Sequence, residues 1–348
     1  MQGCCTEGSI LVVNITDLRS DAIIVTTDVF KVVPLPGLSA QQAKDWIRQD
    51  LITTSLSDRG RKNKAYLGFL SWLWHGCVKP VLDELGCYRQ SSAEDLPRVW
   101  WIGTGFASSF PFHSAGDMSA GPMEGACYWA VSSYTPTFKA LQYARERAGT
   151  IPSRSDSWRA VIVAMPETPG AGALPGTRLE QFVVKTAMGS SVSIKTLEYP
   201  DVASTMGHLQ ECNIAHFACY GVSNSFDPSS SGLILQTAKT ATEELKKDIL
   251  SVRQNQVQRL SDEVLHVVSG FQVAGFRHVV GCLWPSDDEV CVDIAKSFYA
   301  ELIQCGDLRV GSDRATAVAL HRAVLKVRES SKFRKRPLLW AQYVHYGA

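Results

Sequence analysis

The residues best placed for chemistry follow two apolar runs of the sequence. Tyr220 and Gly221 end the stretch HFACYG, which closes the apolar run at residues 214–219. Residues 285–288 read PSDD and follow the apolar run RHVVGCLW at residues 277–284. In open parallel sheets, ligands bind at the carboxyl ends of the strands. Both segments are therefore predicted to lie where a site forms.

The rest of the chain must supply the elements that position these residues. Short apolar runs alternate with helical patterns, which predicts an α/β fold with a largely parallel sheet. The predicted strands are residues 9–16, 21–26, 98–105, 160–165, 191–197, 214–219, 232–235 and 277–284. The predicted helices are residues 39–55, 64–85, 135–148, 179–188, 201–212, 262–274 and 316–329, with one more opening near residue 286. The last segment, residues 337–348, is predicted to be extended.

Three of these helices carry capping signals at their amino-terminal ends. Ser39 and Asp201 are predicted to be N-caps, because their side-chain oxygens accept a hydrogen bond from a free backbone amide of the first turn. Ser286 and Glu289 have the S-x-x-E spacing of a capping box. The sequence therefore predicts that the segment after residues 277–284 turns directly into a helix.

Composition and charge exclude several classes of partner. The chain has 348 residues, of which 45% are hydrophobic and 20% charged, and its formal net charge is +1. A near-neutral chain has no strong electrostatic attraction for nucleic acid or an anionic membrane surface. The longest uncharged stretch, residues 99–116, is rich in Gly, Ser and Pro and would make a poor membrane helix. We therefore expect neither a nucleic-acid nor a membrane partner.

The cysteines indicate a reduced, cytoplasmic setting. There are ten, they are scattered, and none forms a CxxC pair, so no metal site is predicted. Cys212, Cys219 and Cys282 lie in or beside apolar runs, where a free thiol acts as a small hydrophobe. The GTG at residues 103–105 has neither GxGxxG spacing nor a following Lys-Ser/Thr pair, so no nucleotide cofactor is expected either.

A polar segment divides the chain in two. Residues 147–157 contain Gly149, Pro152 and three serines, and the alternation of predicted strands and helices begins again after them. We predict a first half at residues 1–150 and a second half at residues 151–348.

Several long stretches resemble one known family. They are HFACYGVSNSFDPSSSGLIL at residues 216–235, the run from residue 262 to residue 289, PLLWAQYVHYGA at residues 337–348, and, in the first half, residues 96–117 and 132–141. The chain resembles the CHAT domain, a caspase- and separase-like cysteine peptidase module, in the version common in fungi. The resemblance implies a caspase-like three-layer α/β/α half at residues 151–348, preceded by a pseudo-caspase-like half at residues 1–150.

The resemblance also implies a catalytic Cys/His dyad, and this sequence departs from it at the histidine. In such enzymes a thiolate attacks the scissile carbonyl, and an imidazole in a His-Gly pair acts as base and then acid. Tyr220 occupies that histidine position, with Gly221 beside it. A phenol with a pKa near 10 cannot exchange protons at neutral pH as an imidazole does. His216 lies four residues earlier, roughly 13 Å along a strand, and is interpreted as a buried core histidine.

The nucleophile is missing as well. Family members have an apolar strand ending in the cysteine between segments like DILSVR and QNQVQRLSDE, whereas here Arg253 runs straight into Gln254. The sequence thus predicts that the central nucleophile strand is deleted. Cys219, Cys282 and Cys291 are interpreted as buried structural thiols rather than as replacements.

Two acidic residues remain as candidates for a specificity pocket. The resemblance places Asp287 and Asp288 near the pocket, where a carboxylate would suit a basic side chain. The alternative is that both simply lie in the first turn of a helix, where the helix dipole favours negative charge.

The deletion leaves open what closes the sheet. The neighbouring strands could close up, residues 249–252 (ILSV) could take the empty place, or the chain could fold poorly, since each unpaired buried backbone group costs roughly 1 to 3 kcal/mol.

The resulting hypothesis is an inactive pseudopeptidase that binds or regulates. By analogy with the family, its protein partners would carry helical repeats or NTPase modules. The alternatives are a cysteine endopeptidase that is active only in a complete isoform and, with less support, a nucleotide-binding α/β enzyme. The sequence does not fix the oligomeric state.

Overall fold

The computed structural model describes residues 2–52, 58–89, 92–121, 123–148, 158–222, 230–237, 244–251, 267–304 and 313–348. The strands in these ranges are β1 (Ser9–Ile15), β2 (Ser20–Val25), β3 (Phe30–Pro34), β4 (Arg98–Gly105), β5 (Val131–Tyr134), β6 (Trp158–Ala164), β7 (Val192–Glu198), β8 (Ile214–Ala218), β9 (Gly221–Val222), β10 (Gly232–Gln236), β11 (Lys247–Ser251), β12 (His278–Cys282) and β13 (Tyr343–Gly347). The α-helices are α1 (Ala40–Arg48), α2 (Arg59–Leu73), α3 (Lys79–Glu84), α4 (Phe138–Ala148), α5 (Gly176–Met188), α6 (Val202–Leu209), α7 (Val267–Val273), α8 (Asp288–Gln304), α9 (Asp313–Glu329) and α10 (Pro337–Trp340).

The largest sheet has a parallel centre and antiparallel margins. Its order is β12-β13-β5-β4-β1-β2-β3. Strands β13, β5, β4 and β1 run parallel to one another, whereas β12, at one margin, and β2, at the other, run antiparallel to their neighbours. Strand β3 then pairs antiparallel with β2. This arrangement confirms the predicted α/β class.

Two smaller sheets lie in the second half of the chain. Strands β7, β6 and β8 form a parallel sheet in the order β7-β6-β8. Strands β9, β10 and β11 form an antiparallel one in the order β11-β10-β9. The β7-β6-β8 sheet carries the segment that ends at Tyr220, so it positions the first candidate site.

Strand β4 shows why the sheet is covered on both faces. Successive side chains of a strand point to opposite faces. Trp100 therefore packs with Ile10 and Leu141 on the side of α4, whereas Trp101 joins the main core with residues such as Leu70. Both tryptophans are almost completely buried. The run RVWWIG is apolar without alternation because each face meets its own layer of helices.

A buried arginine ties the last strand to the first half. The Arg98 guanidinium on β4 donates to Ser133 Oγ at 3.1 Å and to the carbonyl oxygen of Ala348 at 2.6 Å. It also lies over the ring of Trp100, 4.2 Å from its centroid. Burial lowers the pKa of Arg98 to about 9. Because these bonds replace its hydration, the charged group holds β4, β5 and the end of the chain together.

Several predicted boundaries need correction. The predicted helix 39–55 begins at its cap, since Ser39 Oγ accepts from the Gln42 amide at 3.1 Å, but it ends at Arg48. Asp50 has φ 45°, a left-handed conformation that breaks the helix. The predicted helix 64–85 consists of α2 and α3, which are joined by a π-helical turn at Trp74–Val78.

The second half shows a confirmed cap and two adjustments. Asp201 caps α6 as predicted, because its carboxylate accepts from the Ser204 amide at 2.7 Å. The first five residues of the predicted helix 262–274 lie outside the described residues. The segment 337–348 begins with the short helix α10 before it becomes β13.

The predicted division near residue 150 remains a prediction. Residues 149–157 lie outside the described part of the chain. Strands β12 and β13 of the second half complete the sheet that β1 to β5 begin, so the two halves share one hydrogen-bonded sheet.

Candidate functional site

Tyr220 lies just beyond β8, where the chain passes into the small antiparallel sheet. Its carbonyl oxygen accepts a hydrogen bond from the Ile234 amide at 2.7 Å, which fixes the backbone at the strand end. The tyrosine is half-buried, and its hydroxyl lies 3.4 Å from the position that a Cβ on Gly172 would occupy. Gly221, which follows, is exposed. The phenol is thus packed against the loop before α5.

Asp287 and Asp288 are engaged with the ends of helices. Asp287 Oδ1 accepts from the Glu289 amide at 3.2 Å, and its other oxygen lies 3.6 Å from Arg59 Nη1. Asp288 Oδ2 accepts from the Gly176 amide at 3.1 Å, at the start of α5. Both contacts agree with the interpretation of these residues as first-turn carboxylates. Whether they also serve a specificity pocket remains a prediction.

The capping box predicted for Ser286 and Glu289 is wrong. Ser286 Oγ lies 2.6 Å from the hydroxyl of Tyr343 and accepts from Gln342 Nε2 at 2.8 Å. Asp287 caps the first turn of α8 instead. The serine hydroxyl is occupied by residues more than fifty positions later in the chain, a contact that local spacing does not reveal.

Strands β8 and β12 lead to the two candidate segments but belong to different sheets. Strand β8 is hydrogen-bonded to β6, and β12 is hydrogen-bonded to β13. Among the described residues, no strand connects them. The ladder is interrupted at the position where the resemblance places the nucleophile strand.

Two of the expected ways of closing this interruption are not observed. The neighbouring strands have not closed up, since β8 and β12 do not pair. Residues 249–251, part of the ILSV run, lie in β11, which pairs with β10 in the small antiparallel sheet. That run therefore does not fill the missing place, and its last residue lies outside the described residues.

His216 lies on β8 beneath helix α8. Its Nδ1 lies 3.2 Å from the hydroxyl of Tyr299 on that helix, and its Nε2 lies 3.2 Å from Glu180 Oε1 on α5. The side chains of His216 and Glu180 are only 13% and 14% exposed. The prediction of a largely buried, hydrogen-bonded histidine is therefore confirmed.

The three nearby thiols are protonated at neutral pH. Burial raises the pKa of Cys219 to about 12 and that of Cys291 to about 11, and it raises the pKa of Cys282 well above its ordinary value. The Glu180 carboxylate adds to the shift at each of these cysteines. A thiol without its thiolate is a poor nucleophile, so none of the three is set up to attack a carbonyl.

Sequence reasoning missed Glu180. It lies in the helical run RLEQFVVK, where a carboxylate is ordinarily a solvated surface group. The helix turns it inward, toward His216, and its charge also acts on Cys219 after β8 and on Cys282 at the end of β12. The apolar pattern of the helix gives no sign of this, because Leu179 and Phe182, on either side of Glu180 in the sequence, are exposed in the structure.

Metal ligands and membrane spans were also sought in the described residues. In that part of the chain, no three His, Cys, Asp or Glu side chains converge as a metal ion would require. Within the same ranges, no helix has both the length and the apolar character of a membrane span.

Comparison with known proteins defines the class. A profile of the CHAT domain matches residues 67–348, and the chain belongs to the CHAT domain family. No curated protein matches the sequence significantly.

The similar solved structures are cysteine peptidases of caspase-like fold. The chain is similar to separase of Saccharomyces cerevisiae, solved in complex with securin, with a TM-score of 0.58 and 9% identity over 97% of this chain. A second structure of that complex gives a TM-score of 0.61 with 8% identity over 99% of this chain. The complex of the pro- and mature domains of Porphyromonas gingivalis RgpB gives 0.50 with 10% identity, over 78% of this chain and 68% of that one. These likenesses confirm the predicted caspase-like fold.

The chain is much shorter than separase. It spans 30% of the separase chain in both structures. At 8–10% identity, these structures establish the fold and leave the activity to be argued from the site.

Proposed function

We propose that this chain is a catalytically inactive CHAT domain protein that works by binding. The observation that carries the proposal is Tyr220 at the end of β8, where the resemblance places the catalytic histidine. A phenol has no basic ring nitrogen like that of an imidazole, so it cannot act as the general base of a cysteine peptidase.

The thiols support the same proposal. Cys219, Cys282 and Cys291 are the cysteines nearest to Tyr220 and to the start of α8, and each has a raised pKa. A peptidase of this kind needs the opposite, a thiol whose pKa is lowered by a neighbouring imidazole. On this proposal, the chain keeps the scaffold of the peptidase and lacks both members of its dyad.

A direct activity assay tests this proposal. The purified chain and its Tyr220→His variant are incubated with a fluorogenic peptide library that covers every residue at the cleaved position. Neither protein is expected to hydrolyse any peptide faster than a Cys219→Ser, Cys282→Ser, Cys291→Ser triple variant does. Hydrolysis that is abolished by one of those serine substitutions would refute the proposed inactivity.

A second candidate function is a cysteine endopeptidase that exists in a longer isoform. It is favoured by the join between Arg253 and Gln254, where family members have a whole strand. Sequencing of transcripts across this join tests it: an in-frame insertion that encodes an apolar run ending in cysteine would support the isoform. Such a form would still carry Tyr220, so its activity must be compared with and without Tyr220→His.

Several further features belong to the proposal. The nine cysteines in the described residues are free, which suits a reduced, cytoplasmic compartment. The division into residues 1–150 and 151–348, and a specificity-pocket role for Asp287 and Asp288, stay predictions. Protein partners agree with a binding role, and the separase structures, solved with securin, provide a precedent for a protein ligand on this fold.

A further inference from the structure

Among the described residues, strands β8 and β12 do not pair with each other, yet helix α7 packs on both: its Phe271 lies against Phe217 of β8, and its Val268 lies against Gly281 of β12. Among the described residues, Ile214–Ala218 pairs only through its edge toward β6, and His278–Cys282 pairs only through its edge toward β13. We call the space between these two free edges the slot. A free edge presents backbone N–H and C=O groups that another strand can pair with.

The strands that border the slot are less buried than the strands paired with them on the closed sides. All five residues of β13 are buried, as are the last five residues of β6, which lie on the closed sides. By contrast, all five residues of β12 and four of the five in β8 are only half-buried. Their sequences, HVVGC and IAHFA, lack the polar alternation of solvent-facing strands and are typical of strands covered on both faces. The two strands thus have the composition of central strands. Among the described residues, no strand pairs with the edge that each of them presents to the slot.

Contacts on both faces hold the slot open. On one face, the hydroxyl of Tyr299 on α8 lies 3.2 Å from His216 Nδ1 on β8, and α8 packs along α5. On the other face, Phe271 of α7 packs on Phe217 of β8 with ring centroids 5.9 Å apart. Closing the slot would require these layers to repack, so the two edges are held in place for an incoming strand.

The two faces of the slot differ in chemistry. Toward α7 it is lined by Phe217, Phe271 and Val279, all apolar. A Cβ on Gly281 would lie only 2.6 Å from Val268 Cγ2, so α7 also packs tightly on β12. An incoming strand must therefore present apolar side chains to α7.

Toward α8 the slot contains a carboxylate. Glu180 has a side chain that is 14% exposed and lies 3.2 Å from His216 Nε2 on the β8 side. It also acts electrostatically on Cys219, which follows β8, and on Cys282, which ends β12. Glu180 therefore lies on the α8 side of the slot, beside His216 of β8. A cation from an incoming strand would be attracted to it.

We propose that the slot binds an extended segment of a partner protein, which pairs with β8 and β12 as an added strand, presents apolar residues to α7 and places a lysine or arginine beside Glu180. The mode of recognition is β-strand addition, in which main-chain hydrogen bonds give affinity and alternate side chains give specificity. The inference rests on the proposed binding function and specifies its ligand.

The first test is amide hydrogen exchange of the free protein. The amides of Ile214–Ala218 and His278–Cys282 are expected to exchange faster than those of β6 and β13. Protection of both strands in the monomer would mean that another segment of this chain already fills the slot, and protection that grows with protein concentration would mean that a second copy fills it. Either result would overturn the proposal.

The second test uses a synthetic probe, the acetylated and amidated peptide TVTVKVS. Its valines form one apolar face, and its lysine lies on the other face toward the carboxyl end. Binding is expected to slow exchange in β8 and β12 at least tenfold. A peptide with N-methyl groups on alternate residues cannot donate to one edge and is expected to bind at least tenfold more weakly. Equal binding of both peptides, or no protection at millimolar peptide, would overturn strand addition.

The third test concerns the charge. Glu180→Gln is expected to weaken binding of the lysine peptide about tenfold and to leave binding of its lysine-to-glutamine version unchanged, since the charge pair is then absent from both. Glu211→Gln is the matched control, because its carboxylate is 73% exposed. Equal effects of Glu180→Gln on both peptides would refute the pairing.

These tests and the peptidase assay can fail separately. Peptide binding together with peptidase activity would overturn the proposed inactivity but would still support strand binding at the slot. Absence of both would overturn the slot alone.

Discussion

Two half-buried histidines, whose Nε2 atoms are shielded from solvent, should make the protein less stable in acid. His113 and His321 line a cavity of about 40 Å³ that also contains Arg328. The Nδ1 of His113 lies 2.8 Å from the hydroxyl of Tyr134, and the Nε2 atoms of both histidines have no hydrogen-bond partner among the described residues. Burial lowers the pKa of His113 to about 3 and that of His321 to about 4. The neighbouring His321 adds to the lowering at His113, whereas the Arg314 and Arg328 guanidinium groups add to it at His321.

The magnitude follows from the difference between the folded and unfolded states. An unfolded histidine titrates near pH 6.5 and takes up a proton below that pH, whereas these two stay neutral while folded. Stability is therefore complete above pH 6.5 and is lost as the pH falls toward the folded pKa values. Between pH 7 and pH 5, each histidine should lower the free energy of unfolding by about 2 kcal/mol, and the pair by about 4 kcal/mol. Native domains have only about 5–15 kcal/mol in total.

Urea unfolding at several pH values, followed by tryptophan fluorescence, measures this loss. His113→Gln and His321→Gln should each reduce the loss of stability between pH 7 and pH 5 by about 2 kcal/mol, whatever their stability at pH 7. Val184→Ala is the control, since it opens space in the core without removing a titrating group: it should lower the free energy of unfolding at every pH and leave the pH dependence unchanged. A pH dependence that both histidine variants share with the unsubstituted protein would refute the reasoning.

Two further predictions concern the site. In the folded protein at pH 8, Cys219 should resist alkylation by iodoacetamide, because a pKa of about 12 leaves about one thiolate in ten thousand. Mass spectrometry before and after unfolding measures the extent of alkylation. Rapid labelling of the folded form would contradict the raised pKa. Asp288→Ala should lower the free energy of unfolding by about 1 kcal/mol, because the Gly176 amide loses its acceptor. The exposed Asp293→Ala, on the same helix, should cost less in the same urea titration, and equal losses would show that the contact with Gly176 contributes little.

The sequence predicted well what local rules decide. The bounds of β4 agree with the apolar run at residues 98–105, because a strand buried on both faces must be apolar throughout. Ser39 and Asp201 cap their helices because an N-cap needs only the amides of the next turn. The same rule failed at Ser286, where Tyr343 and Gln342 occupy the hydroxyl.

What the sequence left open depends on contacts between distant segments. The apolar run at residues 21–26 is a strand, as predicted, but its antiparallel pairing with β1 is set by the short turn between them. Glu180 was not a candidate, because a glutamate on an amphipathic helix is ordinarily solvated. Only the packing of α5 against α8 turns it toward the interrupted sheet. The interruption itself was predictable from the join at Arg253 and Gln254, whereas the place of residues 249–251 in another sheet was not.

The two departures from a peptidase at this site are physically consistent with each other. A histidine at the end of β8 is useful only if a thiol on the next strand has a proton for it to remove. Without that strand, an imidazole would lie at a half-buried strand end with no thiol from which it could remove a proton. The phenol of Tyr220 packs beside Gly172 and needs no such partner, which is consistent with the proposed inactivity. The free edges of β8 and β12 differ from Tyr220 in this respect. Their backbone N–H and C=O groups lower the stability of the fold until a strand or water forms hydrogen bonds with them. Selection for binding at the slot would explain why the scaffold persists, and the exchange experiment on those two strands tests that explanation directly.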